Sequence, residues 1–123
     1  MNRLDALCYG VMVAEGWDNG SRSWRNNNPG NLRSSRLTDV THNGFAVFPD
    51  FAVGWSALEL DLWLKCSGRS KSGVTPETSL YEFVKIYACP PTQEEHDNYV
   101  AVVMKWSGAR GDAPMSWFLD EQP

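Results

Sequence analysis

A mainly helical α+β fold is predicted by three features of the sequence. An apolar stripe at helical spacing opens the chain, several later stretches begin with helix-start signals, and a Gly- and Asn-rich middle holds one short alternating segment. At 123 residues the chain fits one domain, residues 1–123, with a core over about 2–108 and a tail over 109–123. A chain this long buries roughly two-thirds of its unfolded surface, enough for one proper core.

Leu4, Leu7, Cys8, Val11 and Met12 recur at helical spacing, so residues 2–16 read as an amphipathic helix. Gly16 and the run Asp18-Asn19-Gly20-Ser21 end it. Residues 17–50 lack helical periodicity and read as a loop insertion. Within it Gly44-Phe45-Ala46-Val47-Phe48 alternates as a strand does, and Leu37 to Thr41 supply a partner across His42-Asn43-Gly44. Asp50 has the chemistry of an N-cap for a helix over 51–67 carrying Trp55, Leu58, Leu62 and Trp63. Ser79 and Glu82 have capping-box spacing and open a short helix stopped by Cys89-Pro90-Pro91. Thr92 and Glu95 repeat that spacing before a last helix with Tyr99, Val102, Val103 and Trp106 on one stripe. After Gly108 no period is visible, although Trp117-Phe118-Leu119 are apolar enough to dock on the body.

The net charge of −4 argues against wholesale nucleic-acid binding. The charge is uneven: residues 1–37 carry +2 and the remainder −6. Arg22, Arg25, Arg33 and Arg36 fall together with no acid among them, which reads either as a solvated loop or as a basic lip facing an anionic polymer. Six tryptophans suit core packing and also a site that stacks flat amphipathic rings such as sugars. Cys8, Cys66 and Cys89 lack metal-ligand spacing and rule out a disulfide framework, leaving room for one bridge at most. No metal and no cofactor is implied. His42 and His96 read as ordinary surface residues. No stretch reaches the length of a membrane span, and the N-terminus lacks the pattern of a signal peptide.

Glu15 is the most informative charged residue. It stands eleven positions after Leu4, which returns it to within about 20° of that residue's direction and aims its carboxylate along the apolar stripe. Burial disfavours the charged form, and a helix C-terminus pushes the same way, so the carboxyl keeps its proton as a general acid must. The bland alternative is a glutamate that merely bonds a buried loop. Glycoside cleavage commonly uses a second carboxylate. Asp18, Asp39 and Asp50 are the candidates, the last more simply explained as a cap, and no pair declares itself. Tyr87 and Tyr99 sit on apolar helix faces, where a phenol at a cleft edge can orient a sugar or stabilise positive charge. The stretch RNNNPGNLR, from Arg25 to Arg33, holds more asparagine than a Pro-Gly turn requires. Asn27, Asn28 and Asn31 offer amides to hydroxyl or N-acetyl groups, and Trp24 or Trp55 offers a ring to stack on.

The helix ending in Glu-Gly, the RNNNPGNLR loop and the following GFAVFPDFAVGWSAL resemble the lysozyme-like superfamily of peptidoglycan-cleaving enzymes, above all small domains of phages and bacteria. The IYACPP stretch and Tyr99 are similar to the corresponding region of flagellar-type N-acetylglucosaminidases. The likeness spans about residues 4–106. It implies a two-lobed domain with Glu15 as catalytic acid, and a cleft lined by Arg25, the Asn-rich loop and the Phe45–Phe48 segment. It also implies peptidoglycan as substrate, chitin oligosaccharides as a secondary one, a monomer, and delivery to the cell wall by another factor. The phage-lysozyme aspartate nine residues after the glutamate is missing, since Trp24 stands there, and so is the Glu-Ser pair of many lytic transglycosylases. The resemblance therefore leaves muramidase and lytic transglycosylase both open. The alternative reading is a non-catalytic glycan-binding or phage structural module that retains the cleft.

Overall fold

A computed structural model describes residues 1–120, and these form five helices and one small antiparallel sheet. The order is α1 (Arg3–Ala14), α2 (Arg22–Arg25), β1 (Thr41–His42), β2 (Phe45–Ala46), α3 (Phe51–Cys66), α4 (Leu80–Ala88) and α5 (Gln93–Ser107), with a 3-10 turn over Met115–Leu119. The mainly helical α+β class follows from this. The last three residues of the expected tail lie outside the described residues.

Side-chain caps set the helix starts. Asn2, Ser21, Asp50, Ser79 and Thr92 each precede a helix and accept a hydrogen bond from a backbone N–H of its first turn. Helix α1 ends earlier than the spacing suggests, because Glu15 is its C-cap and Gly16 turns left-handed at φ 84°. The four-residue α2 was not expected: Ser21, read as part of a helix break, is also the cap that starts it. The hairpin is shorter than predicted. Only Thr41 pairs with Ala46 and His42 with Phe45, around Asn43 and Gly44 at φ 51° and 83°, the signs a two-residue type I′ turn requires.

Two apolar clusters result. The larger joins α1, α3, α4 and α5 through residues such as Leu7, Val11, Leu62, Phe83 and Val103, and Met115 and Phe118 complete it from the tail. The core thus continues past residue 108 to the 3-10 turn. Gly10 lets α1 and α5 approach closely, since a Cβ there would lie 3.1 Å from the Val103 Cα. The smaller cluster is Leu32, Ala46, Phe48 and Ala57, beneath the Asn-rich loop and the hairpin. Tyr87 packs against both clusters and donates its hydroxyl proton to the Gly30 carbonyl at 2.6 Å, tying the loop to α4.

Two expectations need correction. His96 is buried, with Nε2 2.8 Å from the Tyr81 carbonyl and its ring edge-on to Tyr81. It shares the inward stripe with Val100 and Val103, whereas Trp106 of the expected stripe is 44 % exposed. All three cysteines are free, Cys8 and Cys66 being buried and Cys89 exposed, so no bridge forms among them.

Candidate active site

The RNNNPGNLR loop divides its asparagines by backbone geometry and burial. Asn27 and Asn31 occupy the left-handed region at φ 51° and 48°, where asparagine is tolerated better than other side chains. Asn27 donates from Nδ2 to the Phe48 carbonyl at 3.1 Å, and its own carbonyl lies so near α3 that a Cβ at Gly54 would come within 1.8 Å of it. Asn28 is fully buried. Its Nδ2 donates to the Leu32 and Ala46 carbonyls, and its Oδ1 accepts from the Leu32 N–H, all at 2.9 Å. Asn27 and Asn28, expected to meet substrate, therefore brace the loop against β2 and its flank. Between Asn28 and Asn31 the Pro-Gly corner closes through an Asn31 N–H to Asn28 carbonyl bond at 3.0 Å. Gly30 serves space rather than a left-handed φ: a Cβ there would meet Leu58 and the Tyr87 hydroxyl at 2.6 and 2.8 Å.

Asn31 is the member of the run that reaches the glutamate. Its Nδ2 lies 3.2 Å from both the backbone carbonyl and Oε1 of Glu15. From the other side the Tyr99 hydroxyl donates to Glu15 Oε2 at 2.7 Å. Burial raises the Glu15 carboxyl above the ordinary carboxylate range, while the hydrogen bonds from Tyr99 and Asn31 and the Arg22 charge pull it partly back. Tyr99 is raised well above the usual phenol range by burial and by the adjacent carboxylate, so it stays a proton donor toward Glu15. Tyr87 is raised too, chiefly by burial. Arg22 joins the network through a 3.4 Å contact from Nε to the Asn31 Oδ1.

Glu15 stands where two arms of a cleft meet. One arm, of about 360 Å³, is lined by Asn31, Arg33, Phe45, Asp61, Lys65 and Tyr87. The other, of about 430 Å³, is lined by Val13, Pro90, Pro91, Glu95, Asn98 and Tyr99. Glu15, Arg22, Asn31 and Ala88 border both. Phe45 forms part of the first arm's wall, held between two guanidinium groups, with the Arg22 and Arg33 Cζ atoms 3.7 and 4.1 Å from its ring centre. Lys65 is buried and pairs with Asp61 at 2.7 Å, the spacing of one helical turn.

Other anticipated site residues lie elsewhere. Asp18 and Asp39 are exposed away from both arms, and Asp50 caps α3 through a 2.9 Å bond from the Val53 N–H. Phe48 is sealed in the smaller core. Trp55 packs against the larger core near Phe51, and Trp24 is 44 % exposed outside both arms. Arg25 borders a separate hollow of about 560 Å³ beside the hairpin. Asp61 and Lys65 join the site unexpectedly, whereas Arg22 and Arg33 come from the arginine cluster read as a solvated loop or a basic lip. The i,i+4 spacing of Asp61 and Lys65 and the acid-free arginine cluster were their visible signals. Among the described residues no three His, Cys, Asp or Glu side chains gather as a metal site, and no helix is long and apolar enough to cross a membrane.

A half-buried carboxyl whose pKa burial raises, held by two donors in an open cleft, can deliver a proton to an oxygen of a chain molecule lying across it. Compared with known proteins, the chain matches no family model, no curated protein and no solved structure.

Proposed function

We propose that this chain is a lysozyme-like glycosidase that cleaves the β-1,4 glycan strand of bacterial peptidoglycan, with Glu15 as its general acid. The observation that carries the reading is the place of Glu15, at the junction of two cleft arms with Tyr99 and Asn31 on its two oxygens. A linear glycan laid through both arms brings one glycosidic oxygen over the carboxyl. The protonation state and the geometry then serve the same step. Glu15 gives its proton to that oxygen, the bond to the anomeric carbon breaks, and the leaving sugar departs as an alcohol.

The carboxylate left behind takes the proton of the incoming hydroxyl, which restores the acid. That hydroxyl belongs either to water or to the 6-position of the same sugar. Asp61 shares an arm with Glu15 but is neutralised by Lys65. A course with one working carboxyl, in which the substrate supplies its own nucleophile, fits this cleft best. Chitin oligosaccharides, with the same linkage and acetamido group, are a secondary substrate.

Digestion of purified cell walls, followed by mass spectrometry of the fragments, tests the reading. Anhydro ends identify a transglycosylase, reducing N-acetylmuramic acid a muramidase, and reducing N-acetylglucosamine a glucosaminidase. A Glu15→Gln protein that still binds glycan but releases no fragments supports the role of Glu15. Undiminished release by that variant would remove it, and binding without cleavage by the unaltered chain would favour a glycan-binding module.

A further inference from the structure

The two arms differ in charge. The second is lined by Glu95, shares Arg22 and Glu15 with the first, and is otherwise neutral. The first carries Arg22, Arg33 and Lys65 against Glu15 and Asp61. Lys65 already answers Asp61 at 2.7 Å, and the Arg22 charge acts on Glu15. Among the described residues neither Arg22 nor Arg33 has a carboxylate partner. Arg33 therefore brings a guanidinium without a carboxylate partner to the first arm alone, while Arg22, whose charge acts on Glu15, borders both, in a protein of net charge −4.

Both arginines are exposed, and each guanidinium lies over the Phe45 ring. Phe45 is only 8 % exposed because the two arginines cover its ring. Gly44 leaves room for this, since a Cβ there would come 3.3 Å from an Arg33 Nη1. A guanidinium held over an aromatic face satisfies part of its charge there and keeps its N–H donors for a second partner. Arg22 commits one of those donors to Asn31, whereas among the described residues no hydrogen bond engages Arg33. A fork of donors held in place matches a carboxylate bidentately, with shorter and stronger bonds than neutral donors give.

We propose that the arm walled by Arg22, Phe45 and Arg33 is the subsite for a carboxylate-bearing sugar residue of the glycan, and that the arm walled by Pro90, Pro91 and Tyr99 takes the neutral acetamido sugar. This rests on the glycosidase reading above and deepens it: the enzyme distinguishes the two alternating sugars by charge and so sets which of the two linkages lies over Glu15. The carboxylate comes either from the lactyl group of a peptide-free sugar or from an attached stem peptide.

Binding of soluble peptide-free glycan strands to the full chain carrying Glu15→Gln, to prevent turnover, is the test. The same strands with every carboxyl converted to the carboxamide serve as comparison. At low salt the acid form binds roughly tenfold more tightly than the amide, and added salt narrows the gap. Arg33→Met keeps an apolar stem over Phe45 and brings the ratio toward one, and Arg33→Lys restores part of it. If Arg33→Met fails to fold, the acid-to-amide ratio of the unaltered arm still decides. Tighter binding of peptide-bearing strands than of peptide-free ones places the carboxylate on the peptide, and the reverse places it on the sugar; either keeps the assignment. Equal binding of acid and amide, in a chain whose native form cleaves cell walls, overturns the subsite and leaves the glycosidase standing. Binding of neither overturns both.

Discussion

Asn28 and Asn31 stand at the two ends of one Pro-Gly turn and face opposite ways. Asn28 is fully buried, and its side chain meets three backbone groups of Leu32 and Ala46. Asn31 is half-buried, borders both cleft arms, and places its amide on the carboxyl at the end of α1. One asparagine replaces missing backbone pairing in a segment that is neither helix nor strand. The other extends that rigid frame to the Glu15 carboxyl. A run of identical residues thus holds two duties, and burial of each amide separates them. The difference can be broken from either side.

The largest effect should fall on Glu15 itself. Glu15→Gln keeps the shape and removes the proton, so cleavage of cell walls should fall by roughly 10²–10⁴, the ordinary contribution of general acid catalysis. The fold should not suffer. The folded carboxyl is raised above its unfolded value of about 4.3, so between those two values the folded state binds more protons. Stability therefore decreases as pH rises through that window, and above it the ionised Glu15 is a net cost. Glu15→Gln should have a higher Tm than the unaltered chain above the window and show no such fall within it. A Tm loss at neutral pH would mean that the carboxylate is a structural keystone instead.

Next come the braces. Asn28→Ala leaves the Leu32 N–H and the Ala46 carbonyl without their partner in a buried place, at roughly 1–3 kcal/mol for each group. Gly54→Ala forces a methyl toward the Asn27 carbonyl and should destabilise by at least about 1–3 kcal/mol. Urea denaturation should show both losses, with activity falling only as the folded fraction falls. Asn31→Gly is the counterpart. Glycine accepts the left-handed φ of 48°, so unfolding free energy should hold within about 1 kcal/mol while kcat/KM drops roughly tenfold through the lost bond to Glu15. Equal stability losses for Asn28→Ala and Asn31→Gly would erase the division between the two.

Much of this frame is legible in sequence because it is local. Asp50, Ser79 and Thr92 each bond a backbone N–H three residues on, a relation that spacing alone displays. Glu15 was legible for a similar reason, since its direction follows from the helix before it. Helix α2 was not, because four residues show no period. His96, expected at the surface, instead shares with Val100 and Val103 the spacing that places it inside. The partner of Glu15 is further out of reach: Tyr99 lies 84 residues away, and only the packing of α1 against α5 brings them together. Nor does sequence say which asparagine faces inward, because that depends on where β2 passes.

The smallest effect is the most specific to that long-range pairing. Tyr99→Phe keeps the ring in place and removes one donor from Glu15 Oε2. That hydrogen bond favours the carboxylate, so losing it should raise the Glu15 carboxyl further. The acid then keeps its proton to higher pH, and the alkaline limb of the activity profile should move upward, with kcat/KM reduced only a few-fold at the optimum. Asn31→Gly should move the same limb in the same direction, because Asn31 also holds the carboxylate form. A tyrosine that merely packs α5 against α1 would lower Tm and leave the limb where it was. An unmoved limb with intact stability would show that Tyr99 donates to Glu15 without tuning it. The proton of Glu15 would then be governed by burial and Arg22, and the cleft, more than its hydrogen bonds, would set the working pH.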